Sequence, residues 1–147
     1  MEAAGRAGRG RILIADDHAL IRLSLRDELE AAGFGVCAEA ATGAEALEAA
    51  LRSQPELCLL DVNMPEGGGI AAAAAIRREL PQTKVMLITA EPSATGALAA
   101  ARAGADGYLD KAISPDRLPD VVAAVLAGES AYPRRLLPGL LAELRAA

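Results

Sequence analysis

The segment LCLLDVNMP, residues 57–65, is a run of four apolar residues that ends on an acid and passes into a turn-like sequence with a proline. An apolar run without alternating polar residues is typical of a strand buried on both faces, as in a parallel sheet. RILIA at residues 11–15 and KVMLIT at residues 84–89 have the same character. We therefore predict a parallel sheet that contains these three segments.

The pattern of apolar residues along the chain alternates between strand-like runs and amphipathic stretches. Strands are predicted at residues 11–15, 35–39, 57–60, 84–89 and 107–109. Five helices are predicted between and after them. This alternation indicates repeated βα units, and therefore a doubly wound α/β fold with helices on both faces of the sheet.

Three of these helices have distinctive features. Thr42 and Glu45 form a capping-box pattern at the start of the second helix. The fourth helix, near residues 93–103, consists almost entirely of small residues, so we expect it to be a mobile element. The fifth is predicted to have Ser114 as its N-cap, although Pro119 in its first turns conflicts mildly with a helix.

The length of 147 residues suits a single domain. Residues 1–10, rich in Gly, Ala and Arg, are interpreted as a disordered leader, and residues 11–128 as the domain. Residues 129–147 carry a leucine stripe interrupted by a proline and a glycine. Either this segment is a terminal helix on the body of the domain, or it begins a linker into an output domain.

Composition excludes several protein classes. No apolar run approaches the roughly 20 residues of a membrane span, and the leader lacks a secretory apolar region, so we expect a soluble cytoplasmic protein. Cys37 and Cys58 lie in strand-like runs and are interpreted as buried apolar residues instead of a disulfide or metal pair. The net charge is −5 with basic ends, so the acidic body would repel the phosphates of nucleic acid.

Polar residues that could bind a metal or take part in a reaction lie where the predicted strands end. Asp16 and Asp17 follow the first strand, Asp61 the third, Thr89 ends the fourth and Lys111 follows the fifth. In a doubly wound sheet the carboxyl ends of the strands form the site. Three carboxylates held together need a positive charge, and Mg²⁺ with its preference for oxygen ligands would supply it.

A carboxylate beside Mg²⁺, a lysine and a hydroxyl indicates phosphoryl transfer to give an aspartyl phosphate. Each residue alone also has a simpler interpretation. Asp16 and Asp17 could interact only with a helix dipole, and Asp61 could belong to a turn. His18 is interpreted as an exposed residue of the first helical turn, with a place in the pocket as the alternative.

Four motifs together resemble the receiver domains of bacterial two-component response regulators. They are IADDH at 14–18, LLDVNMP at 59–65, LITA at 87–90 and GADGYLDK at 104–111. The resemblance covers residues 11 to about 128. It implies the flavodoxin-like (βα)5 fold, a five-stranded parallel sheet in the order 2-1-3-4-5.

The resemblance also implies the roles of the acidic residues. Asp61 would be the phosphoacceptor. Asp17, Asp61 and the backbone carbonyl of Asn63 would hold Mg²⁺, and Asp16 would help through a water molecule. Lys111 would pair with the phosphoryl group.

Two further roles are implied, each for a pair of residues around this cluster. Thr89 and Tyr108 would form a switch pair that reports phosphorylation to the face built from the fourth helix, the fifth strand and the fifth helix. Asn63 and Glu91 would flank the path of the hydrolytic water and tune self-dephosphorylation. Both are polar, so we expect a fast decay.

The segment from residue 101 to residue 131 is most similar to the NarL/LuxR-type branch. This implies phosphorylation by a sensor histidine kinase, homodimerisation on activation, and control of transcription through a helix-turn-helix output domain that is absent from these 147 residues. DNA would be bound only by that domain, and no membrane partner is expected. A stand-alone receiver that acts through protein contacts is the alternative.

Two other functional classes compete with this interpretation. A phosphatase-like enzyme with an aspartyl nucleophile usually needs a second acid two residues later, where this chain has Asn63. A flavin binder of the same topology needs a phosphate-binding loop and aromatic residues, yet the chain has one Phe, two Tyr and no Trp. We therefore expect a domain that accepts a phosphoryl group and is not a turnover enzyme.

Overall fold

The computed structural model describes residues 8–146, and it contains the predicted five-stranded sheet. All neighbouring strands pair in parallel, and their order is β2-β1-β3-β4-β5. The doubly wound topology is thus confirmed. The strands are β1 Arg11–Ala15, β2 Gly35–Ala40, β3 Leu57–Asp61, β4 Lys84–Thr89 and β5 Gly107–Asp110.

Six α-helices and one short 3-10 turn accompany the sheet in the part of the chain that the structure describes. They are α1 Ala19–Ala31, α2 Gly43–Ser53, α3 Gly68–Glu79, α4 Ala94–Arg102, α5 Arg117–Leu126 and α6 Leu137–Ala146, with the 3-10 turn at Arg134–Leu136. Helices α1 and α5 cover one face of the sheet, and α2, α3 and α4 cover the other. Among these described helices, none is sufficiently long and apolar to span a membrane.

Alternate residues of one strand enter different cores, which explains the continuous apolar runs. Leu13 of β1 packs into the core under α2, α3 and α4. Ile12 and Ile14 pack into the core under α1 and α5. A strand buried on both faces has no solvent-facing positions, so it needs no polar alternation.

Two of the helix starts show how local sequence sets the ends of elements. Thr42 accepts a hydrogen bond from the Glu45 N–H at 3.1 Å, as the capping-box pattern predicts. The prediction of Ser114 as the N-cap of α5 is wrong, because α5 begins only at Arg117. The N–H groups of a first helical turn have no carbonyl within the helix to bond. Pro119, which lacks an N–H, therefore costs little in the first turn of α5.

The two cysteines are free thiols. Cys58 is fully buried in β3, and burial raises its pKa to about 12. Cys37 in β2 is half-buried and contacts the Ile12 carbonyl at 3.5 Å. Cys58 therefore behaves as a small core residue, as expected, whereas Cys37 is only partly enclosed.

The segment that precedes β1 contacts the domain. Of the leader expected over residues 1–10, residues 1–7 lie outside the described residues. Arg9 places its guanidinium 4.7 Å from the centre of the Phe34 ring and donates to the Ala32 carbonyl at 3.0 Å. Gly10 is buried with a φ of +143°, a conformation that favours glycine.

The carboxyl-terminal segment folds back as α6 against α4. The Tyr132 ring stacks on Tyr108 at a centroid distance of 6.3 Å, and its hydroxyl donates to the Ala105 carbonyl. Gly139 approaches Ala94 so closely that an added Cβ would lie 2.8 Å from the Ala94 Cβ. The helix of small residues therefore has a second helix packed along it.

Candidate functional site

The strand order brings the chemically active residues to one edge of the sheet. β1 and β3 are neighbours, with Ala15 opposite Leu60, so the residues that follow them are adjacent. β4 pairs with β5, and Thr89 lies opposite Asp110. Four neighbouring strands therefore deliver their carboxyl ends to a single site, as the doubly wound topology requires.

Two buried carboxylates and one lysine form the centre of the site. Asp16 is 0% exposed and Asp61 is 2% exposed. The Lys111 Nζ lies 2.8 Å from Asp16 Oδ2 and 3.3 Å from Asp61 Oδ2. The ammonium therefore bridges both acids and compensates part of the charge that burial would otherwise disfavour.

Burial is the main influence on the protonation of Asp61. Desolvation raises its pKa; the Asn63 N–H, which donates to Oδ1 at 3.2 Å, lowers it in part. The Asp16 charge raises the pKa further, and Lys111 opposes this. The net effect is a raised pKa of Asp61. Additional positive charge nearby would therefore stabilise the ionised carboxylate.

Lys111 responds to the same neighbours in the opposite sense. Burial alone would lower the pKa of the ammonium group, but the contact and charge of Asp16, together with those of Asp61, outweigh it. The pKa of Lys111 is therefore raised above its ordinary value. A lysine held in this state is a permanent cation beside the two acids.

The donor set fits a divalent cation. One donor atom from each of Asp16, Asp17, His18 and Asp61 can be chosen so that all lie within 4.8 Å of one another. Asp16 Oδ2 is buried and, apart from its ion-pair contact with Lys111, accepts no hydrogen bond. Carboxylate oxygens are the ligands that a hard divalent cation prefers. The three carboxylates can therefore hold a metal ion.

The turn after β3 is shaped by glycines that allow a helix to approach the acid. A Cβ on Gly69 would lie only 2.0 Å from the Asp61 carbonyl oxygen. Glu66, Gly67 and Gly68 all have positive φ values. Any larger residue at position 69 would push α3 away from the backbone of Asp61, so this glycine positions the turn that carries Asn63.

The predicted switch residues hold the loop between β4 and α4. Thr89 is buried, and its hydroxyl accepts from the Glu91 N–H at 3.2 Å. Tyr108 is 2% exposed, and its hydroxyl accepts from the Ser93 N–H at 3.1 Å. The two residues thus hold two backbone groups of one short loop, which links them mechanically.

Two contributors to the site were missed from the sequence. A Cβ on Gly96 would lie 2.3 Å from the Tyr108 hydroxyl, so only glycine admits the inward position of that ring. Asp110 accepts from the Ala112 N–H at 2.8 Å and shapes the turn that carries Lys111. The glycine gave no signal of its own within a run of small residues. The acid next to Lys111 could have been considered.

The remaining predicted residues lie beside the cluster. Asn63 and Glu91 are exposed at its rim. Asp17 is partly exposed, with its side chain 34% accessible. The carbonyl of Asn63 as a ligand, and the effect of Asn63 and Glu91 on hydrolysis, stay predictions.

Comparison with known proteins gives a consistent result. The sequence profile of the response regulator receiver domain matches residues 12–123. The chain is 35% identical to the chemotaxis protein CheY of Bacillus subtilis over 112 residues, which cover 76% of this chain and 93% of CheY. It is 34% identical to the nitrate/nitrite response regulator NarP of Escherichia coli, and the match covers 86% of this chain but 59% of NarP.

A solved structure is also similar over almost its whole length. The crystal structure of a LuxR-family two-component response regulator from Aurantimonas superposes with a TM-score of 0.84 at 32% identity. The match covers 94% of this chain and 99% of that one. By contrast, the chain spans only 56% to 59% of the length of the first curated relatives it matches.

Proposed function

Since the chain belongs to the response regulator receiver domain family, as a receiver of the NarL/LuxR type, we propose that Asp61 accepts a phosphoryl group from a sensor histidine kinase. The observation that supports this most directly is the placement of Asp61. It is a buried carboxylate at a strand end, bridged by Lys111 to a second buried acid, Asp16. A carboxylate nucleophile with a fixed cation beside it is suited to phosphoryl transfer.

The proposed step is an in-line displacement at phosphorus. One oxygen of the Asp61 carboxylate forms a bond to phosphorus as the bond to the donor's histidine nitrogen breaks, and that nitrogen keeps the electron pair. Lys111, whose ammonium contacts an Asp61 oxygen, would then pair with the phosphoryl oxygens. If the other ring nitrogen of the donor histidine carries a proton, the products are an aspartyl phosphate and a neutral imidazole.

Mg²⁺ is the proposed metal. Asp17, Asp61 and the Asn63 carbonyl would hold it, and Asp16 would act through water. When bound it neutralises charge on the transferred group. The close grouping of the Asp16, Asp17 and Asp61 carboxylates supports a cation here. All these ligands are oxygen atoms, which is the preference of a hard dication.

The first prediction concerns phosphorylation by a small donor. Incubation with acetyl phosphate and Mg²⁺ is expected to raise the intact mass by one phosphoryl group, and chelation by EDTA is expected to reduce the modified fraction by about 100-fold. Equal modification with EDTA would contradict the metal requirement. Continuous release of inorganic phosphate without any phosphorylated protein would favour the phosphatase-like alternative.

We infer that the output passes through Thr89 and Tyr108 to the face that carries α4. If the Thr89 hydroxyl turns to the phosphoryl group, the Glu91 N–H loses its acceptor. The same loop donates to Tyr108 through Ser93, so a shift there loosens the inward position of the ring. The carboxyl-terminal segment covers this face through Tyr132 and, in α6, through Gly139, so its packing would change with phosphorylation.

The second prediction tests this route. Beryllofluoride, which mimics the phosphoryl group, is expected to change the elution volume on a sizing column and the amide exchange of residues 89–111. The substitution Gly139→Leu, which crowds Ala94, should raise exchange in α4 about tenfold without any mimic, because overpacking costs about 1–3 kcal/mol. Unchanged elution and exchange with beryllofluoride would contradict the route.

A matched control lies on the same helix. Ala142 in α6 is exposed, so Ala142→Leu adds a similar side chain away from α4. It is expected to leave exchange in α4 unchanged. A similar rise in both variants would mean that crowding against Ala94 is not the cause.

The third prediction concerns the lifetime of the phosphorylated state. Asn63 and Glu91 lie exposed at the rim of the site and are proposed to leave a path for the hydrolytic water. Glu91→Lys and Asn63→Arg are expected to slow the decay of phosphorylated Asp61 by about 3- to 10-fold, because a larger basic group blocks that path. The measurement is the decay of phosphoprotein after donor removal.

The control for these charge changes is Glu79→Lys at the exposed end of α3, far from the strand ends. It should decay at the parent's rate. If Glu91→Lys and Asn63→Arg decay as fast as the parent or faster, these two residues do not set the lifetime.

We further propose that the phosphorylated receiver forms a homodimer and controls transcription in the cytoplasm through a helix-turn-helix output domain. The similarity to the nitrate/nitrite response regulator of Escherichia coli supports this, although the chain covers 59% of that protein. The coding sequence that follows Ala147 would test it directly. A receiver that acts alone by protein contacts is the alternative, supported by the match to almost all of CheY.

A further inference from the structure

A cleft lies between the carboxyl end of β5, the start of α5 and the segment that leads into α6. Its volume is about 590 Å³, which is within the range of small-molecule sites. None of the residues proposed for phosphoryl transfer or metal binding lines it. The cleft is therefore a place for a ligand other than the metal and the phosphoryl group.

The charges around this cleft are opposite in sign to the charge of the chain. Arg117, Arg134 and Arg135 line it, and Asp110 is the only acid among its described lining residues. Three positive charges and one negative charge leave a local charge of +2, whereas the whole chain carries −5. A cleft lined by one sign of charge attracts ligands of the other sign. The lining therefore favours an anion.

The three arginines are available to a ligand. All of them are exposed, and the Arg135 side chain is 60% exposed. In the part of the chain that the structure describes, only Arg135 of the three pairs with an acid, and its contact with Asp110 is long at 3.7 Å. An exposed ion pair of this kind contributes little to stability. An anion in the cleft could therefore bind Arg135 without the loss of a strong contact.

The wall that carries two of the arginines is held by β5. The Ala131 carbonyl accepts from the Tyr108 N–H at 2.8 Å, and the Ala131 N–H donates to the Asp106 carbonyl at 2.9 Å. The Tyr132 ring stacks on Tyr108, and its hydroxyl donates to the Ala105 carbonyl. This wall is thus formed before a ligand binds, which reduces the entropy lost on binding.

The floor of the cleft is apolar. Leu109 is buried, while Ile113, Val121 and Tyr132 are partly buried and also line the cleft. A suitable ligand therefore needs a flat or apolar body as well as negative charge. A phosphate monoester carries nearly two negative charges at pH 7, which matches the local charge. Guanidinium groups also donate paired hydrogen bonds to phosphate oxygens.

We propose that this cleft binds an organic phosphate monoester with a flat body, such as a nucleoside monophosphate. The arginines contact the phosphate oxygens, and the apolar floor contacts the body. Inorganic phosphate alone would leave the floor uncovered, and a single carboxylate would neutralise only half of the local charge. The inference does not depend on the proposed phosphoryl transfer, because it uses none of the residues assigned to that reaction.

Calorimetry with adenosine 5′-monophosphate (AMP) and the whole chain tests this proposal. EDTA is present, so that no metal holds the phosphate at the acid cluster. A Kd of about 10–100 μM is expected at low salt. Inorganic phosphate and adenosine, each tested alone, should bind at least about tenfold more weakly, because each makes only part of the contacts. Absence of AMP binding, or equal binding of inorganic phosphate, would overturn the proposal.

Arginine variants test which charges hold the phosphate. Arg117→Gln and Arg134→Gln are each expected to weaken AMP binding by about tenfold or more, because each removes hydrogen bonds to a charged group. Both side chains are exposed, so the variants should fold. Arg78→Gln makes the same change on α3, where the side chain is 71% exposed, and should bind AMP like the parent. Equal weakening in all three variants would mean that only the overall charge matters, and the proposal would be wrong.

Amide shifts in a ¹H–¹⁵N spectrum locate the ligand. AMP is expected to shift residues 109–121 and 131–135 and to leave residues 16–18 and 61–63 unchanged. Shifts centred on the acid cluster would place the phosphate there and contradict the proposed site. Failure of acetyl phosphate to modify Asp61 would not alter this result, so the binding site and the phosphoryl transfer can fail separately.

Discussion

Asp61→Asn is expected to reduce phosphorylation by acetyl phosphate more than about 100-fold, because an amide oxygen is a far weaker nucleophile than a carboxylate. The fold should survive this change. Burial and the nearby Asp16 already raise the Asp61 pKa, so a neutral residue of the same shape relieves the site. We expect the free energy of unfolding at pH 7 to equal or exceed the parent's.

The measurement combines intact mass after incubation with acetyl phosphate and Mg²⁺ with denaturant unfolding of the same samples. Asp27→Asn makes the same chemical change on the exposed face of α1 and should be phosphorylated like the parent. Full modification of Asp61→Asn would show that another residue is the acceptor. Loss of modification in a variant that is also unfolded would be checked with Asp61→Glu, which keeps the charge but moves the nucleophile.

Lys111→Met is expected to have the second large effect, on stability and on phosphorylation together. The change removes the only ammonium in contact with Asp16 and Asp61 among the described residues and leaves two buried acids beside each other. Removing one partner of a buried ion pair typically costs about 3–5 kcal/mol, and protonation of one acid would limit the loss to about 3 kcal/mol. Phosphorylation should fall about 100-fold.

The pH dependence of that loss follows from the direction of the Asp61 shift. The pKa of Asp61 in the folded protein is raised above its ordinary value of 3.8. Between the two values the folded state binds more protons than the unfolded state, so this group reduces stability as pH rises through that window. Without Lys111 the pKa rises further, so the window extends to higher pH. The variant should therefore lose more stability than the parent between about pH 4 and neutrality.

Two comparisons make the prediction specific. Lys84→Met changes the other lysine of the chain, at the start of β4, and should alter neither stability nor phosphorylation by a comparable amount. Mg²⁺ should stabilise Lys111→Met more than the parent, because the metal replaces part of the missing positive charge. Denaturant unfolding of both variants at several pH values, with and without Mg²⁺, measures each effect. Equal stability of Lys111→Met and the parent would contradict the proposed bridging role.

The sequence alone was enough to predict the sheet and to place Asp16, Asp61 and Lys111 at one edge of it. Apolar runs such as KVMLIT at 84–89 lack alternation, and only a strand buried on both faces permits that. Once parallel strands are established, their carboxyl ends must lie at one edge. Asp16, Asp61 and Lys111 could therefore be placed together without coordinates, and the structure brings them within ion-pair distance.

Other features depend on contacts between residues far apart in the chain, which local patterns do not encode. The inward position of Tyr108 exists because Gly96, on a different element, has no side chain. The packing of α6 on α4 depends on Gly139, which a local interpretation treats as a helix breaker. Likewise, the distance from the Lys111 ammonium to Asp16 is fixed only when β1 and β5 take their places in the folded sheet. The sequence thus determined which side chains lie at the strand ends, because a buried strand is recognised from its own apolar run and parallel strands share one carboxyl edge. Tertiary structure decided their distances, partners and charge states, because these arise only when separate elements pack together.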